Sequence, residues 1–171
     1  MADYDISIIR SQMHNDGIKM RGKGMSPARL KGIKKGLLTL HSLELTATNI
    51  YRYQIRKEDN EHNRQLISAM CNEMTHYQDY QVKLFEFGWR PSFLRLGYWI
   101  VGFVLGLSSR LRGREAVLRT GIWVETRAVR HYAVLLENIE WDEDTRKVVE
   151  KNQADEDGHI KRWQALLQSE H

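Results

Sequence analysis

Residues 154–163 read ADEDGHIKRW, and the fold turns on how this stretch is read. As a helix it carries Gly158 where an alanine would be about 1 kcal/mol better. It also sets Glu156 and His159 on a face that is otherwise apolar: Val149, Asn152, Glu156, His159 or Ile160, Trp163 and Leu167 recur at helical spacing. Helical residues three apart differ by roughly 60° in direction and roughly 4.5 Å in height, so the two heads can reach one point in space. A buried carboxylate costs several kcal/mol unless it is paired or holds a metal. Something must therefore lie opposite.

Three more stripes each carry a carboxylate at their centre. The first helix opens at Ser26-Pro27, a capping side chain followed by proline at the first helical position. Its stripe runs Ile33, Leu37, Leu40, Glu44, Thr48, Tyr51. The second starts near Asn60, carries Leu66, Met70, Glu73, Tyr77, Tyr80, Leu84 and Phe87, and stops at Gly88 before Pro91. A third begins near Gly113 with Leu118, Ile122, Glu125, Val129, Tyr132 and Leu136, and the fourth, containing the opening stretch, begins near Asp144. The chain thus reads Glu44, Glu73-x-x-His76, Glu125, Glu156-x-x-His159. The step from single Glu to paired motif is 29 residues in the first half and 31 in the second, the mark of a duplicated helical hairpin.

If the stripes converge, each close carboxylate pair repels by roughly 4 kcal/mol at 4 Å with an effective dielectric of 20. No lysine on the stripes offsets this, whereas two divalent cations would neutralise four ionised Glu. One Glu from each of two helices and a Glu-x-x-His from each of the other two is the ligand set of di-iron and di-manganese carboxylate bundles. A lone Glu-x-x-His is weak evidence, since such spacings are common on exposed helices. Two matches at nearly equal distance are much harder to obtain as surface decoration. The expected metal ligands are Glu44, Glu73, His76, Glu125, Glu156 and His159, holding two Fe ions, with Mn as the alternative for this set of hard oxygens and imidazoles.

Composition agrees with an all-α bundle. A chain of 171 residues is long enough for one domain with a core, and it has only two prolines. The single Cys71 excludes an internal disulfide and a Cys-x-x-Cys metal knuckle, and fits a reducing compartment. The start, MADYDISIIR, has no basic stretch leading into an apolar run, so no secretion signal is expected. Between Gly17 and Leu43 stand seven Lys and Arg and no acid. That run reads either as a solvated arm or as a segment drawn to anionic lipid. No DNA-reading pattern accompanies it, and no nucleic-acid partner is expected.

Other residues have plainer readings. His41 and His131 are expected to be hydrogen-bonding neighbours of the centre or structural residues, while His14, His62 and His171 are expected to be exposed. Tyr51, Tyr77, Tyr80 and Tyr132 read as core aromatics whose hydroxyls need partners. Gly121 and Gly158 would leave room beside the metals or let helices approach. Between the halves, FLRLGYWIVGFVLGLSSRLRGR (93–114) is uncharged from Leu96 to Ser109 and bounded by arginines. It is shorter than the roughly 20 residues needed to span a bilayer. Two readings are open: a buried crossover helix, or a segment lying in a bilayer face with its guanidinium groups reaching outward.

The sequence resembles the demethoxyubiquinone hydroxylases, ferritin-like di-iron monooxygenases of ubiquinone biosynthesis. The likeness runs from about Leu40 to Trp163 and rests on LHSLELTATNIY, NEMTH, GYWIVGFVLG, GREAVLRTGIWVETRAVRHY and DEDGH. All six positions matching the family's iron ligands hold the matching residue. Departures are Ser42-Leu43 where the family has Ala-Gly, Thr126 where it has a second Glu, and no further apolar segment after Trp163.

The resemblance implies a ferritin-like four-helix bundle in residues 26–171, with an apolar, lipid-facing linker over 93–110; the charge run makes residues 1–25 a basic arm before it. It also implies hydroxylation of a demethoxy-quinone or quinol ring, with O2 and a polyprenylated quinone or quinol as partners. The position implied is cytoplasmic, peripheral on the inner face of a membrane. A soluble oxidase or peroxidase of ferritin or rubrerythrin type, and a metal-free helical scaffold, are the other classes these residues allow.

Overall fold

The computed structural model describes residues 17–168, which form five helices and no strand. They are α1 (Pro27–Gln54), α2 (Glu61–Glu86), α3 (Arg95–Leu111), α4 (Arg114–Asn138) and α5 (Glu143–Gln168). Most of the expected basic arm, along with His14 and His171, lies outside the described residues. Each long helix begins where local chemistry places it. Ser26 Oγ accepts from Arg29 N at 3.2 Å, Asn60 Oδ1 from Asn63 N at 2.8 Å, and Asp142 Oδ1 from Thr145 N at 3.2 Å, satisfying first-turn donors that have no intrahelical partner. Gly88 follows α2 and Gly113 precedes α4, with φ of 72° and 100°, values that side chains with a Cβ rarely adopt.

Helices α1 and α2 pack as one hairpin and α4 and α5 as the other; α1 also faces α4, and α2 faces α5. This is the all-α ferritin-like bundle. Two apolar clusters fill its ends. One gathers Ile33, Leu37, Leu40, Tyr80, Leu84, Tyr132, Trp141 and Val149, the other Tyr51, Leu66, Ala69, Val117, Leu118 and Trp163. Each fully buried aliphatic side chain contributes roughly 1.5–3 kcal/mol. The carboxylate stripe lies between them.

Helix α3 links the hairpins and lies against α1 and, less extensively, α4. Only Gly102, Gly106 and Ser109 of this helix are buried. A Cβ at Gly106 would stand 2.5 Å from Ile50 O, and one at Gly102 2.6 Å from Thr46 O, so α3 lies with its backbone on α1. Its other face is open: Leu96, Ile100, Val101 and Val104 are exposed, with Phe93 just before them. Of the two readings of this segment, the buried crossover is therefore wrong. Apolar length does not reveal which side of a helix has a partner; the row of small residues does.

Residues 17–25 cross the end of the bundle. Arg21 donates through its backbone N to Glu86 O and through its guanidinium to Glu86, Asp142 and Asp144, while Lys19 pairs with Asp144. These two members of the basic run are thus neutralised by acids far along the chain. His62 is also buried, at 8% exposure, contrary to the exposed position expected of it.

Candidate metal centre

The four central carboxylates and two histidines meet in the interior. Glu44, Glu73, His76 and Glu156 form one group and Glu73, Glu125, Glu156 and His159 a second, with the donor atoms of each group within 4.8 Å of one another. Glu73 and Glu156, from the two paired motifs, belong to both groups. Glu44 and Glu125 each belong to one. His76 Nδ1 lies 3.0 Å from Glu156 Oε1 and 3.8 Å from both Glu44 and Glu73. His159 Nδ1 lies 3.0 Å from Glu73 Oε1, 3.2 Å from Glu156 Oε2 and 3.6 Å from Glu125 Oε1. None of the six residues is more than 2% exposed.

Local periodicity explains the convergence. Each Glu stands on the inward stripe of its helix, and each histidine follows its Glu by three residues, so both heads of a pair enter the same layer. The two histidines point Nδ1 inward, and their Nε2 atoms are engaged elsewhere. The single glutamates are held by tyrosines. Tyr132 Oη donates to Glu44 Oε1 at 2.6 Å and receives a hydrogen bond from Tyr80 Oη at 2.8 Å. On the other side Tyr51 Oη donates to Glu125 Oε1, and Trp163 Nε1 donates to Tyr51 Oη at 3.1 Å. Tyr51 and Tyr132 each follow the Glu of their own helix by seven residues and bind the Glu of the opposite helix. Glu-x6-Tyr is thus a second repeated signal, legible in the sequence once the duplication is recognised.

The inner donor atoms are left without hydrogen bonds. Both oxygens of Glu73 and of Glu156, Oε2 of Glu125, and Nδ1 of His76 and of His159 are buried and have no hydrogen-bond partner. Buried polar atoms are nearly always satisfied. Seven orphaned acceptor-type atoms facing one space are what a pair of cations would satisfy, and the donor set fits two ions sharing Glu73 and Glu156. Electrostatics point the same way. Burial, reinforced by the Glu156 charge, pushes the Glu125 carboxyl up to about 8, and burial with the Glu125 charge pushes Glu73 up to about 7. Burial also raises Glu156. Burial alone would lower both histidines, but the carboxylates crowded around them reverse this, and His159 is raised to about 12. Without cations, then, protons must neutralise this group of charges.

The remaining expectations resolve individually. His41 is fully buried against Tyr77, at 4.2 Å between ring centroids, and burial lowers its pKa. His131 is exposed on α4 beside Arg127. A Cβ at Gly121 would press on the Trp163 ring at 3.0 Å, so this glycine makes room for Trp163, not for a metal. A Cβ at Gly158 would meet only Arg162 Nη1, at 3.7 Å, and no close packing accounts for that glycine.

A cavity of about 140 Å³ opens between α1, α3 and α4. Glu44, Glu73 and Glu125 stand in its wall, together with Leu43, Ala47, Ile50, Val101, Leu105, Trp123 and Ala128, and Arg127 and His131. The centre is therefore reached through an apolar passage whose outer wall is α3.

Residues 34–168 match the family described as Ubiquinone biosynthesis protein COQ7. The match covers most of the chain and contains all six residues of the centre. This chain belongs to that family. The same family is the one the motifs resemble, and membership places the protein in ubiquinone biosynthesis. No curated protein matches the chain. In this member of the ubiquinone biosynthesis protein COQ7 family, the buried Glu and His groups can hold a metal, and among the described residues no helix is long and apolar enough to cross a membrane.

Proposed function

We propose that this protein is an O2-dependent di-iron monooxygenase that hydroxylates the ring of a polyprenylated demethoxy-quinone or quinol. The observation that carries this reading is the row of unsatisfied, buried donor atoms standing at the inner end of an apolar cavity. Glu44, Glu73, His76 and Glu156 would hold one ion, and Glu73, Glu125, Glu156 and His159 the other. When bound, the ions would activate O2, and the two electrons that reduce its second oxygen atom to water would come from the quinol or from a reductase.

The chain's own residues do the rest. Tyr132 and Tyr51 fix the orientation of Glu44 and Glu125. The two apolar clusters above and below exclude bulk water, which strengthens every charge interaction inside. Leu43, Ala47, Val101 and Leu105 offer a flat ring an apolar surface, and its orientation would come from the polar groups of the lining, the carboxylates inside together with Thr46, Trp123, Arg127 and His131. The exposed apolar face of α3, with arginines at both ends, suits a position at the boundary between the headgroups and acyl chains of a bilayer, next to the interior where a polyprenyl tail resides.

The test is anaerobic reconstitution with Fe(II), followed by O2 uptake with a demethoxy-quinol carrying a short prenyl tail. We expect about two iron atoms per chain and a product heavier by one oxygen atom, labelled when 18O2 is used. A protein that binds iron but consumes O2 equally with and without the quinol would be an oxidase of ferritin type, and one that binds no iron would be a scaffold.

A further inference from the structure

Each histidine of the centre is backed by the residue that precedes the other paired motif. His76 Nε2 lies 3.1 Å from Asp155 Oδ2, and His159 Nε2 lies 3.2 Å from Asn72 Nδ2. Asp155 immediately precedes Glu156 and Asn72 immediately precedes Glu73, so the two supports occupy the same position of the duplicated helix. The inner contacts are paired: two shared glutamates, one single glutamate on each side, and one tyrosine hydroxyl on each single glutamate, itself held by Tyr80 on one side and Trp163 on the other. The supports differ in charge. One is a carboxylate and the other a neutral amide.

We propose that the two metal positions are inequivalent, the position bearing His76 taking its ion first and more tightly because Asp155 backs its imidazole. This rests on the metal-centre reading above. With Nδ1 free to bind a cation, Nε2 carries the ring proton. Donated to a carboxylate, that proton shifts electron density into the ring and makes Nδ1 a stronger donor. The carboxylate also adds a negative charge close to the ion. Asn72 can turn its amide oxygen to the His159 ring and hold its angle, but it brings no charge. Losing such an outer partner typically costs about 10–100-fold in metal affinity, so a charged and a neutral support should separate the two positions by at least about tenfold.

The two supports lie in the wall of one polar recess between α2 and α5, away from the apolar cavity under α3 and lined also by Ser68, Thr75 and Arg162. Asp155 keeps 38% of its side-chain surface exposed there. Replacing it with the isosteric amide therefore removes the charge without opening a hole in the core.

The experiment is anaerobic titration of the full chain with Co(II), read by the visible absorption of the bound ion and by competition with a chelator. Folding of every variant is checked by circular dichroism. The wild type should take two ions per chain in two resolved steps. Asp155→Asn should weaken the first step by about 10–100-fold and merge it with the second, the total being unchanged. Asn72→Asp should merge them from the other side, by tightening the second, and it carries the test alone if Asp155→Asn does not fold. The double exchange should restore two separate steps. If Asp155→Asn or Asn72→Asp keeps the full wild-type separation, repulsion between the two ions sets the order and the proposal is overturned. If the wild type binds no Co(II), the metal centre itself fails, and this inference with it.

Discussion

In the metal-free protein Glu125 is held largely as the neutral acid at pH 7, because burial and the nearby Glu156 raise it from its ordinary 4.5 to about 8. The folded state therefore binds a proton that the unfolded chain releases. The stability this contributes is complete below about 4.5 and is lost as pH climbs through about 8. Glu125→Gln, which mimics the neutral form, should leave metal-free stability within about 1 kcal/mol at pH 6. At pH 9 it should be more stable than the wild type by roughly 1–3 kcal/mol, the cost of leaving a buried polar group unsatisfied. Chemical denaturation at the two pH values measures this, and elemental analysis of the same variant should show metal lost. The same shifts set the pH dependence of metal uptake. Glu73, at about 7, and Glu125, at about 8, must give up protons before they can bind an ion. Affinity should therefore rise as pH passes through 7 to 8, with protons released, and keep rising above 8 because the raised histidines give up theirs later. Calorimetry in two buffers of different ionisation enthalpy reports that release, and uptake without it would contradict the pKa assignment.

At the scale of helices, α3 is seated by what it lacks. Gly106→Ala places a methyl about where Ile50 O already is, at 2.5 Å, and backbone cannot yield as a side-chain tip can. The substitution should push α3 from α1 and destabilise by roughly 1–3 kcal/mol, read as a melting temperature lower by about 2–4 °C per kcal/mol for a chain of this size. Gly158→Ala, by contrast, meets only a flexible arginine tip and should be neutral or slightly stabilising through helix propensity. Helix starts and inward stripes were legible in the sequence because capping and three-to-four spacing are local. Glu44, Glu73, His76, Glu125, Glu156 and His159 came with them. Asp155 and Asn72 were not legible in the same way, and the tyrosines only as a repeated Glu-x6-Tyr spacing, since the partner each meets lies in another helix and depends on the register between helices. The Arg21 contacts to Glu86 and Asp142 span 65 and 121 residues, and no local pattern signals them. The exposed side of α3 was ambiguous because its apolar residues fit either surroundings, while the informative ones, Gly102, Gly106 and Ser109, are small.

For the whole molecule the question is what covers the open face of α3, which would otherwise leave a row of apolar side chains in water beside the mouth of the cavity. No acid occurs from Phe87 to Arg114, and five arginines do, so the surface around this row is positive as well as apolar. An anionic bilayer satisfies both properties. Apolar side chains gain about 25 cal/mol for each Å² removed from water, and basic groups near the surface add about 1 kcal/mol each at low salt. The apolar cavity would then open toward the lipid, and a prenylated ring could move from the membrane to Glu44 and Glu125 without crossing water. Phe93 is 88% and Leu96 65% exposed, so Phe93→Glu with Leu96→Glu changes no buried contact and should not alter the melting temperature. The double variant should lose flotation with phosphatidylglycerol-containing liposomes, and its turnover of a long-tailed quinol should fall while that of a detergent-dispersed short-tailed quinol is kept. Equal flotation of variant and wild type would mean that α3 is not the docking face, and equal loss of both quinols would place the damage at the centre instead of the membrane.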